Sequence, residues 1–151
     1  MSGRRLLTPE EVLTFMRAGN ATFTIVSRKT ETRFTYRVRA SEDGTLFFVS
    51  LLRGPDNNAD YTYMGTIQGK RFRLTPKSKV TFEAPAYKAF LWLFNQVAIM
   101  NALPDVVEVW HSGRCGRCNR TLTVPESIAS GIGPECAKYV HRMPGQLALA
   151  V

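Results

Sequence analysis

The chain has 151 residues, 44% hydrophobic and 21% charged, a composition that excludes disordered and collagen-like architectures and suits one folded domain with a small appendage. Its longest apolar run, residues 89–94, is broken by Asn95 and Gln96, far short of the roughly 18 residues a membrane-spanning helix requires. Twenty Lys and Arg against twelve Asp and Glu give a net charge of +8, which makes a polyanion such as nucleic acid a natural partner.

The charge is uneven. Residues 1–40 carry eight basic and three acidic side chains, 41–110 carry seven of each, and 111–151 carry five and two. Glu10 and Glu11 follow Arg4 and Arg5 before any continuous apolar segment, a pattern unlike a cleaved leader. The expected compartment is the cytoplasm.

Thr8, Pro9 and Glu11 ahead of Val12, Leu13, Phe15 and Met16 read as an N-cap, a first-turn proline and a capping-box glutamate opening a short helix that stops at Gly19. From Ala21 the period changes to two. Strands are predicted at 21–28, 33–39, 45–52, 61–67 and 70–74, with tight hairpins at 30–32 and 41–44 and a longer exposed loop at 53–60. This is an antiparallel meander. Residues 46–52 are apolar at nearly every position, as for a strand buried on both faces, whereas 33–39 alternate strictly and leave one face wet. A second helix is predicted at 86–102, where Tyr87, Phe90, Leu91, Phe94, Val97 and Ala98 form the stripe that covers the sheet. Trp92, Leu93 and Ile99 widen it until only a strip around Lys88 and Asn95 is polar, so that helix is deeply buried or forms a subunit contact. Residues 106–110 make one more strand. The fold class expected is α+β: a curved antiparallel sheet covered by two helices over residues 1–105, a small zinc-binding module over 106–142, and a tail over 143–151.

All three cysteines lie between Cys115 and Cys136, and an odd number so clustered fits a metal site better than a disulfide framework. Cys115 and Cys118 are spaced to grip one tetrahedral ion from a tight knuckle, with Gly116 relieving the backbone crowding between them. Cys136 follows a turn at residues 131–133 and sits in the first turn of a helix opening at Pro134, where a thiolate is favoured. The fourth ligand is His111 or His141. Five residues on a helix rotate about 140°, which turns His141 away from an ion held by Cys136 and favours His111. Four protein ligands leave no open position for catalysis, and neither Glu126 nor Glu135 belongs to a recognisable catalytic motif, so one structural zinc ion and no enzymatic activity are expected. There is also no phosphate loop or nucleophile motif.

The run His111-Ser112-Gly113-Arg114-Cys115-Gly116-Arg117-Cys118-Asn119-Arg120, then Leu122-Thr123-Val124-Pro125-Glu126-Ser127-Ile128, then Gly131-Ile132-Gly133-Pro134-Glu135-Cys136 resembles a family of uncharacterised zinc-finger-like domains common in bacteriophage and mobile-element genes. The resemblance covers about residues 108–140 and places His111, Cys115, Cys118 and Cys136 on the family's ligand positions. Asn119 stands where the family has glycine. Residues 18–27 and 33–37 are similar to the segment that accompanies this finger in phage proteins. The resemblance implies a phage or prophage origin and names no activity.

Arg33, Thr35, Arg37 and Arg39 share one face of a strand. Tyr61 and Tyr63 alternate likewise on a later strand, and Arg71 and Arg73 on the next. Arginines beside stacking rings suit single-stranded nucleic acid, and Arg114, Arg117 and Arg120 of the knuckle extend the basic track. The competing expectation is a phage-encoded inhibitor or modulator of a host polymerase, nuclease or defence complex, with an exposed apolar patch at Trp92, Trp110 or residues 147–151.

Overall fold

Helix α1 (Pro9–Met16) opens on the expected capping box. The Glu11 N–H donates to Thr8 Oγ1 at 3.1 Å, and the Thr8 N–H donates back to Glu11 Oε1 at 3.2 Å. This reciprocal pair satisfies two of the donors that every helix start leaves over. The computed structural model describes residues 4–54, 60–122 and 125–140; of the expected features, the centre of the 53–60 loop, His141 and the 143–151 tail lie outside the described residues.

Among the described residues seven strands form one antiparallel sheet: β1 (Arg5–Leu6), β2 (Asn20–Ser27), β3 (Arg33–Ala40), β4 (Phe47–Leu52), β5 (Tyr61–Gln68), β6 (Arg71–Arg73) and β7 (Val107–His111), in the order β1-β7-β2-β3-β4-β5-β6. The meander from β2 to β6 is the one the turn signals predict. The two additions are β1, too short to show a period, and the position of β7, which enters between β1 and β2 with Phe23 opposite His111 and Leu6 opposite Val109. The expected module boundary at 106 therefore falls at the start of an inner strand. Among the described residues, no helix is long and apolar enough to cross a membrane.

Helix α2 (Pro85–Ala98) lies across one face of this sheet. Phe90 is the centre of the core, with ring centroids 5.1 Å from Tyr36, 4.6 Å from Phe72 and 6.2 Å from Phe23, and burying a side chain of this size stabilises by roughly 1.5–3 kcal/mol. The Tyr36 hydroxyl, in the same apolar layer, donates to the Ala86 carbonyl at 2.7 Å, which satisfies its polar end. The helix stops earlier than expected because the Met100 N–H turns back to the Asn95 carbonyl at 3.1 Å and Asn101 adopts φ 52°. Past this end Ile99 is 57% exposed, and within the helix Trp92 is 41% exposed, so the helix is not buried all round. β4 likewise corrects the expectation of two buried faces: Phe47, Val49 and Leu51 point into the core, but Phe48 is 39% exposed on the other side.

Two short helices, α3 (Pro125–Ser130) and α4 (Pro134–Val140), follow the cysteine knuckle. The knuckle is seated on α1 through two glycines. A Cβ on Gly116 would lie 2.8 Å from Phe15 Cε1, and Gly131, at φ +79°, also faces that ring. Gly116 is thus required for close approach to Phe15 and not, as expected, for the knuckle's dihedral angles. Its left-handed residue is Asn119, φ 67°, a type that tolerates this conformation better than most L residues. The departure from glycine at that position keeps the turn.

Candidate metal centre and basic sheet face

Three of the four expected ligands converge. The sulfurs of Cys115, Cys118 and Cys136 lie within 4.8 Å of one another and form a group that could hold a metal ion. Cys115 is delivered by the turn after β7, pinned by its N–H to the Arg120 carbonyl at 2.8 Å, and Cys136 by the first turn of α4. Cys115 and Cys136 are buried and Cys118 is exposed.

Donors are aimed at these sulfurs. The N–H groups of Gly133 and Arg117 lie 3.3 and 3.4 Å from Cys115 Sγ, and Arg117 Nη1 lies 3.5 Å from Cys136 Sγ. Burial pushes the Cys115 thiol up, but hydrogen bonds from Gly133, Cys118 and Arg117 N–H groups, joined by Cys136, outweigh it and hold its pKa below the ordinary thiol value. Cys136 is held above that value by burial, and the neighbouring thiols add to this against the opposing Arg117. Hydrogen bonds to the charged form favour a thiolate, which is the form that ligates.

His111 does not join the group, a correction to the expected ligand set. Its Nδ1 accepts the Gly113 N–H at 3.0 Å, and its Nε2 is hydrogen-bonded to the Ile128 carbonyl, so Nε2 carries the proton. The ring is fully buried, with Phe15 at 5.6 Å between centroids. His111 shares parity with the buried Val107 and Val109 of β7, a strand signal that points it into the core. It fastens α3 to the sheet.

Beside the sulfurs a cavity of about 510 Å3 is lined by Arg120, Leu122, Ser127 and Glu135 along with the three cysteines. Ser127 is buried and was not singled out by sequence spacing. Glu135 is exposed and pairs with Lys138 at 3.6 Å.

The second expected site is gathered on the sheet face that the helices leave open. Register places Arg33, Arg37 and Arg39 of β3 on that face, with Arg37 opposite Ser50 and Arg39 opposite Phe48. Tyr63 is opposite Ser50, Tyr61 opposite Leu52, and Arg71 and Arg73 flank the inward Phe72. The Arg37 guanidinium lies 4.0 Å from the Tyr61 ring centre, a cation–π contact. Burial, then repulsion from Arg39, lowers the Arg37 pKa. Among the described residues, Arg33, Arg39, Arg71 and Arg73 make no ion pair within 4.0 Å. Phe48 shares the face and was missed as a candidate, because it sits in a run that reads as wholly core; Trp110, expected in an apolar patch for a host protein, lies on this face too. At the far edge Glu108 neutralises positive charge, 2.6 Å from Arg28 and 4.0 Å from Arg5.

Arg114, Arg117 and Arg120 are exposed but belong to the helix side, because their knuckle docks on Phe15. They meet the open face only at its rim, where the Asn20 N–H donates to the Gly116 carbonyl at 2.6 Å and Asn20 pairs with Arg39. Arg114 turns its Nη1 to the Asn119 carbonyl at 3.4 Å.

Residues 109–141 match a family of unknown function (DUF6011). The match spans His111 and all three cysteines and leaves the sheet residues before 109 outside it. Neither the curated proteins nor the solved structures yield a match.

Proposed function

We propose that this chain is an accessory protein of bacteriophage or mobile-element origin that binds single-stranded nucleic acid on its open sheet face, with zinc folding the cysteine module, and that it works by binding rather than catalysis in the host cytoplasm. The observation that carries this reading is the Arg37–Tyr61 pair at 4.0 Å, set among four further arginines and the rings of Phe48 and Tyr63. Phosphates are met by guanidinium groups and unstacked bases by aromatic faces, a combination that favours flexible single strands over a duplex. Nothing on this face has the shape of a major-groove reading helix. Zinc is the metal favoured by a thiolate-rich set.

The test is fluorescence anisotropy of metal-loaded protein with labelled single-stranded DNA, duplex DNA and RNA across a salt series. Submicromolar binding that weakens steeply with salt and ranks single strands first is expected. No binding at low salt overturns the reading. A second reading, a surface for a host protein, draws on Trp92, Ile99 and Met100, the last 66% exposed at the end of α2; capture of such a partner lost on Trp92→Ala would favour it.

A further inference from the structure

We infer that a single-stranded oligonucleotide crosses the open face at right angles to the strands, with one base stacked on Phe48 and its phosphates held by Arg39 on one side and Arg73 on the other. This rests on the nucleic-acid reading above and deepens it, because it separates the ring that takes a base from rings that are already engaged.

Register carries the path. Arg39 pairs with Phe48, Phe48 with Thr66, and Thr66 with Arg73, so these four side chains form one row across β3, β4, β5 and β6. At a strand spacing of roughly 4.8 Å the row is about 14 Å long, with the aromatic ring inside it and a guanidinium at each end. Both arginines are exposed. Strands β2 to β6 contain five arginines and no Asp or Glu, so the charge they carry fits a polyanion.

The rings are not equivalent. Tyr61 has the Arg37 guanidinium 4.0 Å from its centre. Tyr63 is tied through its hydroxyl to Thr75 Oγ1 at 3.0 Å. Trp110 donates from Nε1 to Glu108 Oε1 at 2.9 Å, beside a carboxylate that repels phosphate. Phe48 is 39% exposed on a strand with neighbours on both sides, and its side chain has no polar atom to be tied by. A planar base stacked there removes apolar surface from water on both partners.

An irregularity in β5 shapes the same place. The ladder passes from Val49 opposite Gly65 to Ser50 opposite Tyr63, skipping Met64, so Tyr63 and Thr66 both reach the open face although they are three residues apart. The Tyr63 ring is thereby brought to 6.4 Å from that of Phe48, tilted by 58°. Gly65 permits the close approach of β6, since a Cβ there would lie 2.5 Å from the Arg73 carbonyl oxygen. Bulges re-aim side chains in this way, and here the result is a ring supported at its side and open above.

Fluorescence anisotropy of the full metal-loaded chain provides the test, with labelled oligothymidylate and oligouridylate, a strand of equal length carrying abasic sites throughout, and a salt series. Phe48→Ala should weaken binding of the base-bearing strands about tenfold, the worth of one base–aromatic stack, and leave the salt slope unchanged. Phe48→Leu should weaken it as well, Phe48→Trp should keep it, and none of the three should alter binding of the abasic strand. Arg39→Ala combined with Arg73→Ala should weaken all the strands and flatten the slope by about 1.4, at about 0.7 per phosphate contact. Undiminished binding of the base-bearing strands in Phe48→Ala or Phe48→Leu overturns the inference. So does equal weakening on the abasic strand, which marks a structural role for the ring, or a salt slope untouched by the paired arginine change. In these cases the nucleic-acid reading stands. Absence of binding by the unaltered chain to any single strand at low salt overturns both.

Discussion

The ring of Phe15 and the backbone of Gly131 are in contact with no space for a side chain between them: a Cβ on Gly131 would stand 2.7 Å from Phe15 Cε1 and 3.3 Å from His111 Cδ2. This contact joins α1 to the segment between α3 and α4, and it makes the cysteine module part of the same packed body as the sheet.

Gly131→Ala should therefore be costly twice over. The residue sits at φ +79°, which costs an L side chain roughly 1–2 kcal/mol, and overpacking against Phe15 adds about 1–3 kcal/mol. Urea denaturation of the variant should show a loss of about 2–5 kcal/mol; an unchanged midpoint would mean that the module is not packed on α1.

His111 predicts a pH dependence. Burial depresses its pKa from 6.5, with the Ile128 carbonyl opposing and Arg4 assisting, so the unfolded chain takes up the proton more readily than the folded one. The stability from this residue is fully present above its unfolded pKa and is lost as pH falls through the window between 6.5 and its lower folded value. NMR titration of the His111 ring should give a midpoint below 6.5 in the folded protein. A midpoint at or above that value removes the argument.

Much of this was legible in local sequence. The capping box at Thr8 and Glu11, the alternation of 33–39, the knuckle and the helix opening at Pro134 all depend on neighbours a few residues apart, and local chemistry fixes them. The misread features depend on distant partners. β1 has two residues and exists only because Trp110 and Val109 offer it an edge. The place of β7 is a pairing across 80 or more residues of chain. His111 illustrates the limit best, because an imidazole that ligates and one that hydrogen-bonds to a carbonyl present the same atoms; only the burial parity of Val107 and Val109 separates the two.

Cys118→Ser removes one of the three clustered sulfurs. Metal affinity should fall by more than about 100-fold, since even outer partners of a ligand are worth 10–100-fold, and the module should melt at lower temperature. Retention of one equivalent of zinc with unchanged melting, by elemental analysis and calorimetry, would sink the metal assignment.

Arg33→Ala combined with Arg37→Ala removes two guanidinium groups from the open face. Affinity for single strands should drop, and the slope of log K against log salt should flatten by about 1.4, given about 0.7 per phosphate contact. The core is untouched by either change, so an unaltered melting temperature with an unaltered slope would move the binding site elsewhere.

Tyr36→Phe deletes the buried hydroxyl that reaches Ala86 at 2.7 Å. The expected loss is about 1–2 kcal/mol in chemical denaturation, and no loss would mean that this bond is not what holds the start of α2 to the sheet.

The entry of β7 between β1 and β2 also governs the order of events during synthesis. Until residue 111 has left the ribosome, β2 has one bare edge and β1 has nothing to pair with, so the nascent sheet carries an open row of backbone donors and acceptors available to other chains. The meander from β2 to β6 forms early from near neighbours, and closure waits for a contact of long sequence separation. Interrupting translation just upstream of the cysteines would leave a protein with most of its strands and a sticky seam.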